Sequence, residues 1–181
     1  MNKLFPIAII ILLMLGAAMW SLAPSSFNQY LSAEAQKELS LATGAQVIIG
    51  NVDAKSHSGT ISGVKAKTPD GTKLFTVESI NYAVDKKSYR KPPVKITQLE
   101  FIGLDINKDP ALKTTLETSL TNYMKQTGLV NESHEFIVEE LLIHELDSSA
   151  QPRVIKPVNA EGLTAKALLV EVLSQVLTPA K

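Results

Sequence analysis

Apolar and polar positions divide the chain into an unbroken apolar start and a long patterned remainder. Leu4 to Ala23 carries no charge, and its centre runs Ile7-Ala8-Ile9-Ile10-Ile11-Leu12-Leu13-Met14-Leu15. At about 1.5 Å per residue this stretch covers about 30 Å, the thickness of a bilayer's hydrocarbon core. Pro6 falls in the first turn, where a missing N–H does no harm, and Trp20 is placed for the far interface. The pattern predicts one transmembrane helix. A cleaved signal peptide is the rival reading, with Lys3 as its positive end and Ser21-Leu22-Ala23 as a loose cleavage site. Pro24 beyond the scissile bond and the length of the run favour an uncleaved signal-anchor over residues 1–24. Met1 and Lys3 are positive and the next charge is Glu34, so the N-terminus is expected in the cytoplasm and residues 25–181 across the membrane.

After Pro24-Ser25-Ser26 the pattern turns periodic. Phe27, Tyr30, Leu31, Ala35, Leu39 and Ala42 recur at helical spacing, with Gln29, Glu34, Gln36 and Lys37 opposite. Ser25 or Ser26 can cap this helix and Gly44 can stop it. Its polar face is poor in Lys and Arg, so packing on the domain is favoured over lying along the membrane. Strands are then predicted from Val47 to Ala54, Thr60 to Lys67, Leu74 to Val84 and Val94 to Ile106. Thr68-Pro69-Asp70-Gly71 is a strong turn between the second and third. Leu112, Leu116, Leu120, Tyr123 and Met124 mark a second helix ending at Gly128. Phe136 to Leu146 returns to strand, and Arg153 to Val158 is a short sixth one, with Pro157 marking an edge. The last helix opens at Gly162-Leu163-Thr164. It carries Leu168, Leu169, Val172, Leu173, Val176 and Leu177 as one stripe, and Pro179 closes it.

Two of the strands share a spacing. Ile96, Leu99, Phe101, Leu104 and Asp105 are matched by Val138, Leu141, Ile143, Leu146 and Asp147. Plain alternation places apolar residues two apart, whereas here two of the steps are three. A bulge, a strong twist or burial on both faces would each produce this.

Composition narrows the function classes. Lys plus Arg and Asp plus Glu are both 18, so there is no net charge and no basic field to attract nucleic acid. The absence of cysteine removes disulfides, thiolate nucleophiles, Cys-ligated metal and a bacterial lipoprotein anchor.

The order of these parts has a counterpart. The membrane helix is followed by a helix ending Thr43-Gly44. Next come Val47-Ile48-Ile49-Gly50-Asn51-Val52, then Gly59-Thr60-Ile61-Ser62-Gly63-Val64-Lys65-Ala66 with Pro69-Asp70-Gly71. Phe75-Thr76-Val77-Glu78-Ser79-Ile80 leads to Pro93-Val94-Lys95-Ile96-Thr97-Gln98-Leu99-Glu100-Phe101. This resembles the N-terminal module of AsmA-like proteins of the Gram-negative envelope, itself distantly similar to the start of chorein-type lipid-transfer proteins. Phe136 to Leu146 and the final helix look like the small, single-module members of that group. The resemblance implies an inner-membrane, periplasm-facing protein concerned with lipid. Larger relatives form a long β-groove. No element here exceeds roughly 15 residues at about 3.3 Å each, too short to bridge an envelope.

Reactive constellations are sparse. His57, His134 and His144 lack metal-site spacing, and Glu139-Glu140 on a strand would face apart. No nucleophile elbow or phosphate loop is present. The charge cluster Lys86, Lys87, Arg90 and Lys91 reads either as a solvated hairpin loop or as a contact for anionic headgroups, with Tyr89 at the interface. The last helix's stripe is read as core packing or as a partner contact.

The expected fold is therefore α+β: a curved, mainly antiparallel sheet with packed helices, behind one N-terminal transmembrane helix. The expected function is non-enzymatic, without cofactor or metal: a membrane-anchored envelope protein that binds lipid or supports lipid homeostasis. Leu99, Phe101, Leu141 and Ile143 are candidate walls of a lipid groove, with ordinary core as the alternative for each. The expected partners are the membrane, phospholipid and other envelope proteins. The alternative function is a tethered interaction module that uses a sheet edge or the last helix.

Overall fold

Helix α1 runs from Pro24 to Thr43, and Gly44 stops it in a left-handed conformation, φ 66°, with its N–H bonded to the Ser40 carbonyl at 2.9 Å. The structure, a computed structural model, describes residues 24–55, 57–90, 93–125, 135–146 and 151–177. The apolar stretch 4–23 and the expected anchor lie outside these residues. Among those described, no helix is long and apolar enough to cross a membrane.

The fold is α+β. The strands are β1 (Gln46–Ile48), β2 (Asn51–Ala54), β3 (Ser58–Lys67), β4 (Lys73–Val84) and β5 (Val94–Ile106), with a 3-10 turn over Lys86–Arg90. Helix α2 (Pro110–Lys125) leads to β6 (Glu135–Val138) and β7 (Leu141–Glu145). Then come β8 (Arg153–Ile155), β9 (Leu163–Thr164) and helix α3 (Ala165–Val176), capped by Thr164. The described strands form one open, mixed sheet, antiparallel except where β5 runs parallel to β6 and β7. β1 and β2 pair one after the other with β3 as one interrupted edge. β8 and β9 likewise share the other edge, beside β7 and β6.

Within the described residues the predicted elements are present with some differences: α1 already includes Pro24–Ser26, so neither Ser25 nor Ser26 caps it, and the expected end of the second helix at Gly128 lies outside those residues. Val47–Ala54 is broken at Gly50, Phe136–Leu146 is broken at Glu139–Glu140, and the sixth strand stops at Ile155, before the cis Lys156–Pro157 peptide. The sheet is mainly antiparallel, as expected, with one parallel junction. A crossover through α2 returns the chain parallel to β5, as a long helical connection permits and a short turn would not.

The matched spacing is a pair of neighbours in space. Ile96 lies opposite Val138, Leu99 opposite Leu141 and Phe101 opposite Ile143. The register then shifts, so Leu104 meets Glu145. Both strands make their first three-residue step side by side. A second row of steps crosses four strands, at Ile49/Val52, Ile61/Val64, Val77/Ile80 and Phe101/Leu104. Every one of these residues is buried. Gly50, Gly63, Glu78 and Gly103 stand in the gaps. Gly63 and Gly103 take φ near 67°, which an L side chain resists, and a Cβ on Gly103 would lie 2.3 Å from Glu78 Cγ. These kinks let long strands present one face to the core along their whole length.

All three helices cover that face. Leu31, Ala35, Leu39 and Ala42 of α1, Leu116 and Leu120 of α2, and Leu168, Val172 and Val176 of α3 join the strand residues in a single core. The stripe of α3 is therefore core packing. The exposed sheet edge is also managed. Ser40 Oγ and Gln36 Oε1 of α1 accept the N–H groups of Val47 and Ile49 at 3.1 and 2.7 Å, which would otherwise template another strand.

Candidate functional site

The four groove candidates are brought together, but inside the protein. Leu99 with Leu141, and Phe101 with Ile143, form two cross-strand layers whose members are 0–7 % exposed beneath the helices. This corrects the groove reading: a sheet face buried by three helices offers no open wall for a chain.

An apolar recess does reach the surface elsewhere. Where β4 begins and β5 and β7 end, a cleft of about 260 Å³ opens between the sheet, the first turns of α2 and the end of α3. Leu74, Phe75, Leu104, Ile106, Leu112, Leu116, Leu146 and Leu177 line it together with Asp105, Asn107, Lys108, Lys113 and Glu145. Lys73 Nζ contacts Asp105 at 2.5 Å, and Lys113 lies 3.9 Å from Glu117. Sequence reading placed Leu74, Leu104 and Leu112 in strands or a helix as plain core. Leu74 and Leu104 are indeed buried and Leu112 is partly buried, and no local pattern shows that a recess opens beside them.

The basic cluster is divided. Lys86 and Lys87 are exposed on the 3-10 turn, and the backbone of Arg90 ends it. The side chains of Tyr89 and Arg90, and all of Lys91, lie outside the described residues. Asp85 and Ser88 build the turn. Ser88 N–H and Oγ donate to the Asp85 carbonyl at 3.0 and 2.6 Å, Lys87 N–H donates to Asp85 Oδ1, and Lys95 N–H donates to Ser88 Oγ.

The uncovered face of the sheet carries a polar ladder. Thr60 Oγ1 donates to Asn81 Oδ1 at 2.9 Å, Asn81 Nδ2 donates to Glu100 Oε2 at 3.0 Å, and His144 Nε2 lies 3.0 Å from Glu100 Oε1. Cross-strand pairs of this kind tie β3, β4, β5 and β7 together. Both carboxylate oxygens of Glu100 are engaged, so it is a structural acceptor rather than a free base. Glu139 and Glu140 part as expected, the first 3.7 Å from Lys95 and the second 2.5 Å from Lys156. His57 is exposed, and His134 lies outside the described residues. Among those residues no three His, Cys, Asp or Glu side chains are grouped to hold a metal.

One charged group was missed by the sequence reading. Glu38 of α1 is 1 % exposed. Tyr123 of α2 donates to its Oε2 at 2.8 Å, and its Oε1 has no hydrogen-bond partner. Lys166 of α3 stands 4.8 Å from the Tyr123 ring, so this junction joins all three helices. Burial pushes the Glu38 carboxyl above its ordinary value, against the opposing pull of the Tyr123 hydrogen bond and Lys37; Glu34 pushes it further up and Lys166 draws it down. Burial, with the adjoining Glu38, likewise raises Tyr123. The signal was present in the spacing: 31, 35, 38 and 42 follow one helical stripe, and only the charge argued otherwise.

Compared with known proteins, the chain matches no family model, no curated protein and no solved structure.

Proposed function

We propose that this chain is a non-enzymatic, single-pass inner-membrane protein whose periplasmic domain is lipid-associated and serves envelope lipid homeostasis. In this reading it is a small, single-module relative of the AsmA-like group, with a sheet curved at its two rows of kinks. The observation that carries the proposal is the apolar cleft at the sheet's end. Its volume of about 260 Å³ lies just below the usual range of about 300–1,000 Å³ for small-molecule sites. That suits the end of one acyl chain rather than a whole phospholipid. Its lining combines aliphatic and aromatic side chains with the polar and charged Asp105, Asn107, Lys108, Lys113 and Glu145, the two kinds of contact an amphiphile uses.

A second reading, a tethered module that docks other envelope proteins, draws on the uncovered sheet face. There Val154, half exposed, lies opposite Leu142 on β7. Solvent extraction and mass spectrometry of the purified full-length protein separate the two. Co-purifying lipid near one molecule per chain is expected. Lipid-free protein with one reproducible partner in crosslinking would replace the first reading with the second.

A further inference from the structure

Helix α1 runs antiparallel to the edge strand it covers. Thr43 leads through Gly44 into β1, while Asn28 and Gln29 lie beside Gly50–Val52. The start of α1 is therefore at the same end of the sheet as the β2–β3 turn and the 3-10 turn. Those two turns are tied together where Val84 N–H donates to the His57 carbonyl at 2.9 Å. Lys86 and Lys87 are exposed at this end, on the turn that Asp85 and Ser88 build. Neither has an acidic partner within ion-pair distance among the described residues. Lys55 in the neighbouring turn is 63 % exposed and only 3.7 Å from Asp53. The cleft lies at the opposite end, where β5 finishes and α2 begins.

The strongly apolar stretch read as the anchor ends at Ala23, and the first described residue of α1 is Pro24. Chain connectivity therefore puts the end of the sheet beside the start of α1 nearest the expected anchor. We infer that the domain stands end-on on the bilayer, with Lys55, Lys86 and Lys87 against anionic phospholipid headgroups and the apolar cleft held at the far end. This rests on the anchored reading above. β4 has 12 residues, so at about 3.4 Å each the sheet holds the cleft about 40 Å from the membrane surface. Juxtamembrane lysines are attracted to acidic leaflets within a Debye length, and these three sit inside that range while the lysines lining the cleft do not. The cleft then exchanges its occupant with a partner beyond the membrane, not with the bilayer that anchors the domain.

The chain has no cysteine, so one introduced thiol reports one place. Full-length His57→Cys and Lys108→Cys proteins, carrying an environment-sensitive fluorophore, are inserted into vesicles of phosphatidylcholine and phosphatidylglycerol. Some of the lipids bear a nitroxide on the headgroup. Quenching several-fold stronger at residue 57 than at residue 108 is expected. That difference should shrink when phosphatidylglycerol is omitted, and when Lys86 and Lys87 are both changed to Ser. Protein that floats with the vesicles but is quenched equally at both sites overturns the end-on arrangement and leaves the anchor intact. A difference that ignores lipid charge and both substitutions overturns the headgroup contact. Protein that fails to float overturns the anchored reading and this inference together.

Discussion

Replacing Glu38 with Gln should stabilise the protein at neutral pH. The side chain keeps its shape and its acceptor for the Tyr123 hydroxyl, and loses only the charge. Glu38 is 1 % exposed, with one oxygen unpartnered, so the folded state at pH 7 must either bury a charge or take up a proton. Proton uptake sets a ceiling on the penalty. The ordinary carboxyl value of 4.5 lies 2.5 pH units below neutrality, and at about 1.36 kcal/mol per unit the ceiling is about 3.4 kcal/mol. Against this, Gln gives up the charge-assisted part of the Tyr123 bond, about 1 kcal/mol. A net gain of at most about 2 kcal/mol at pH 7 follows, which for a domain of this size is at most about 6 °C in Tm. The folded value is raised, so the stability that Glu38 contributes is full below its ordinary value of 4.5 and is lost as pH rises through the folded value. The gain from Gln should therefore grow from pH 4 to pH 8 and vanish at the acid end. Thermal unfolding of both proteins by circular dichroism across that range measures it. A Gln variant less stable at pH 7, or a difference that does not change with pH, would refute the reasoning.

Three further outcomes test the fold. Leu141→Ala removes a fully buried side chain from the central layer and should cost about 2–5 kcal/mol in urea unfolding, with the larger values if the layer cannot collapse. Asn159, in the segment between β8 and β9, bonds to the backbone of β6. Its Oδ1 accepts the Val138 N–H and its Nδ2 donates to the Phe136 carbonyl, so Asn159→Ala should cost about 1–3 kcal/mol and raise hydrogen exchange at Val138. Gly103→Ala meets both a left-handed φ and the Glu78 side chain, and about 1–2 kcal/mol of loss is expected from the backbone alone. Adding Glu78→Ala should recover the collision and not the backbone part, which a double-mutant cycle separates.

Much of the fold was legible because its elements obey their local periods. The end of α1 at Gly44, the 68–71 turn and the extent of β5 follow from turn chemistry and alternation. The shared spacing of Ile96–Phe101 and Val138–Ile143 was also informative, since it marks two strands that step together in register up to the shift beyond Phe101. What it did not carry was their parallel orientation, which depends on the path of α2. The breaks at Gly50 and at Glu139–Glu140 were hidden for a related reason. A kink spanning several strands is set by their neighbours, and each strand alone shows only one odd step. The candidate site was less legible. Leu99, Phe101, Leu141 and Ile143 were sound as an apolar cluster and wrong as an open wall, because cover by helices is a tertiary property. The cleft arises where the sheet ends before the helices do, and Glu38 was passed over because its charge masked its place on the stripe.

The claim that the cleft holds an apolar chain is tested most directly by titrating the full-length protein with a fluorescent fatty acid, beside a Leu112→Trp variant. Leu112 is partly buried and lines the cleft, so Trp there fills the space from its open side. The account predicts saturable binding at one site per chain, weakened at least about tenfold in the variant while Tm stays within about 2 °C of the parent. Equal binding by the two proteins, or none by the parent once its co-purified lipid has been removed, would contradict it.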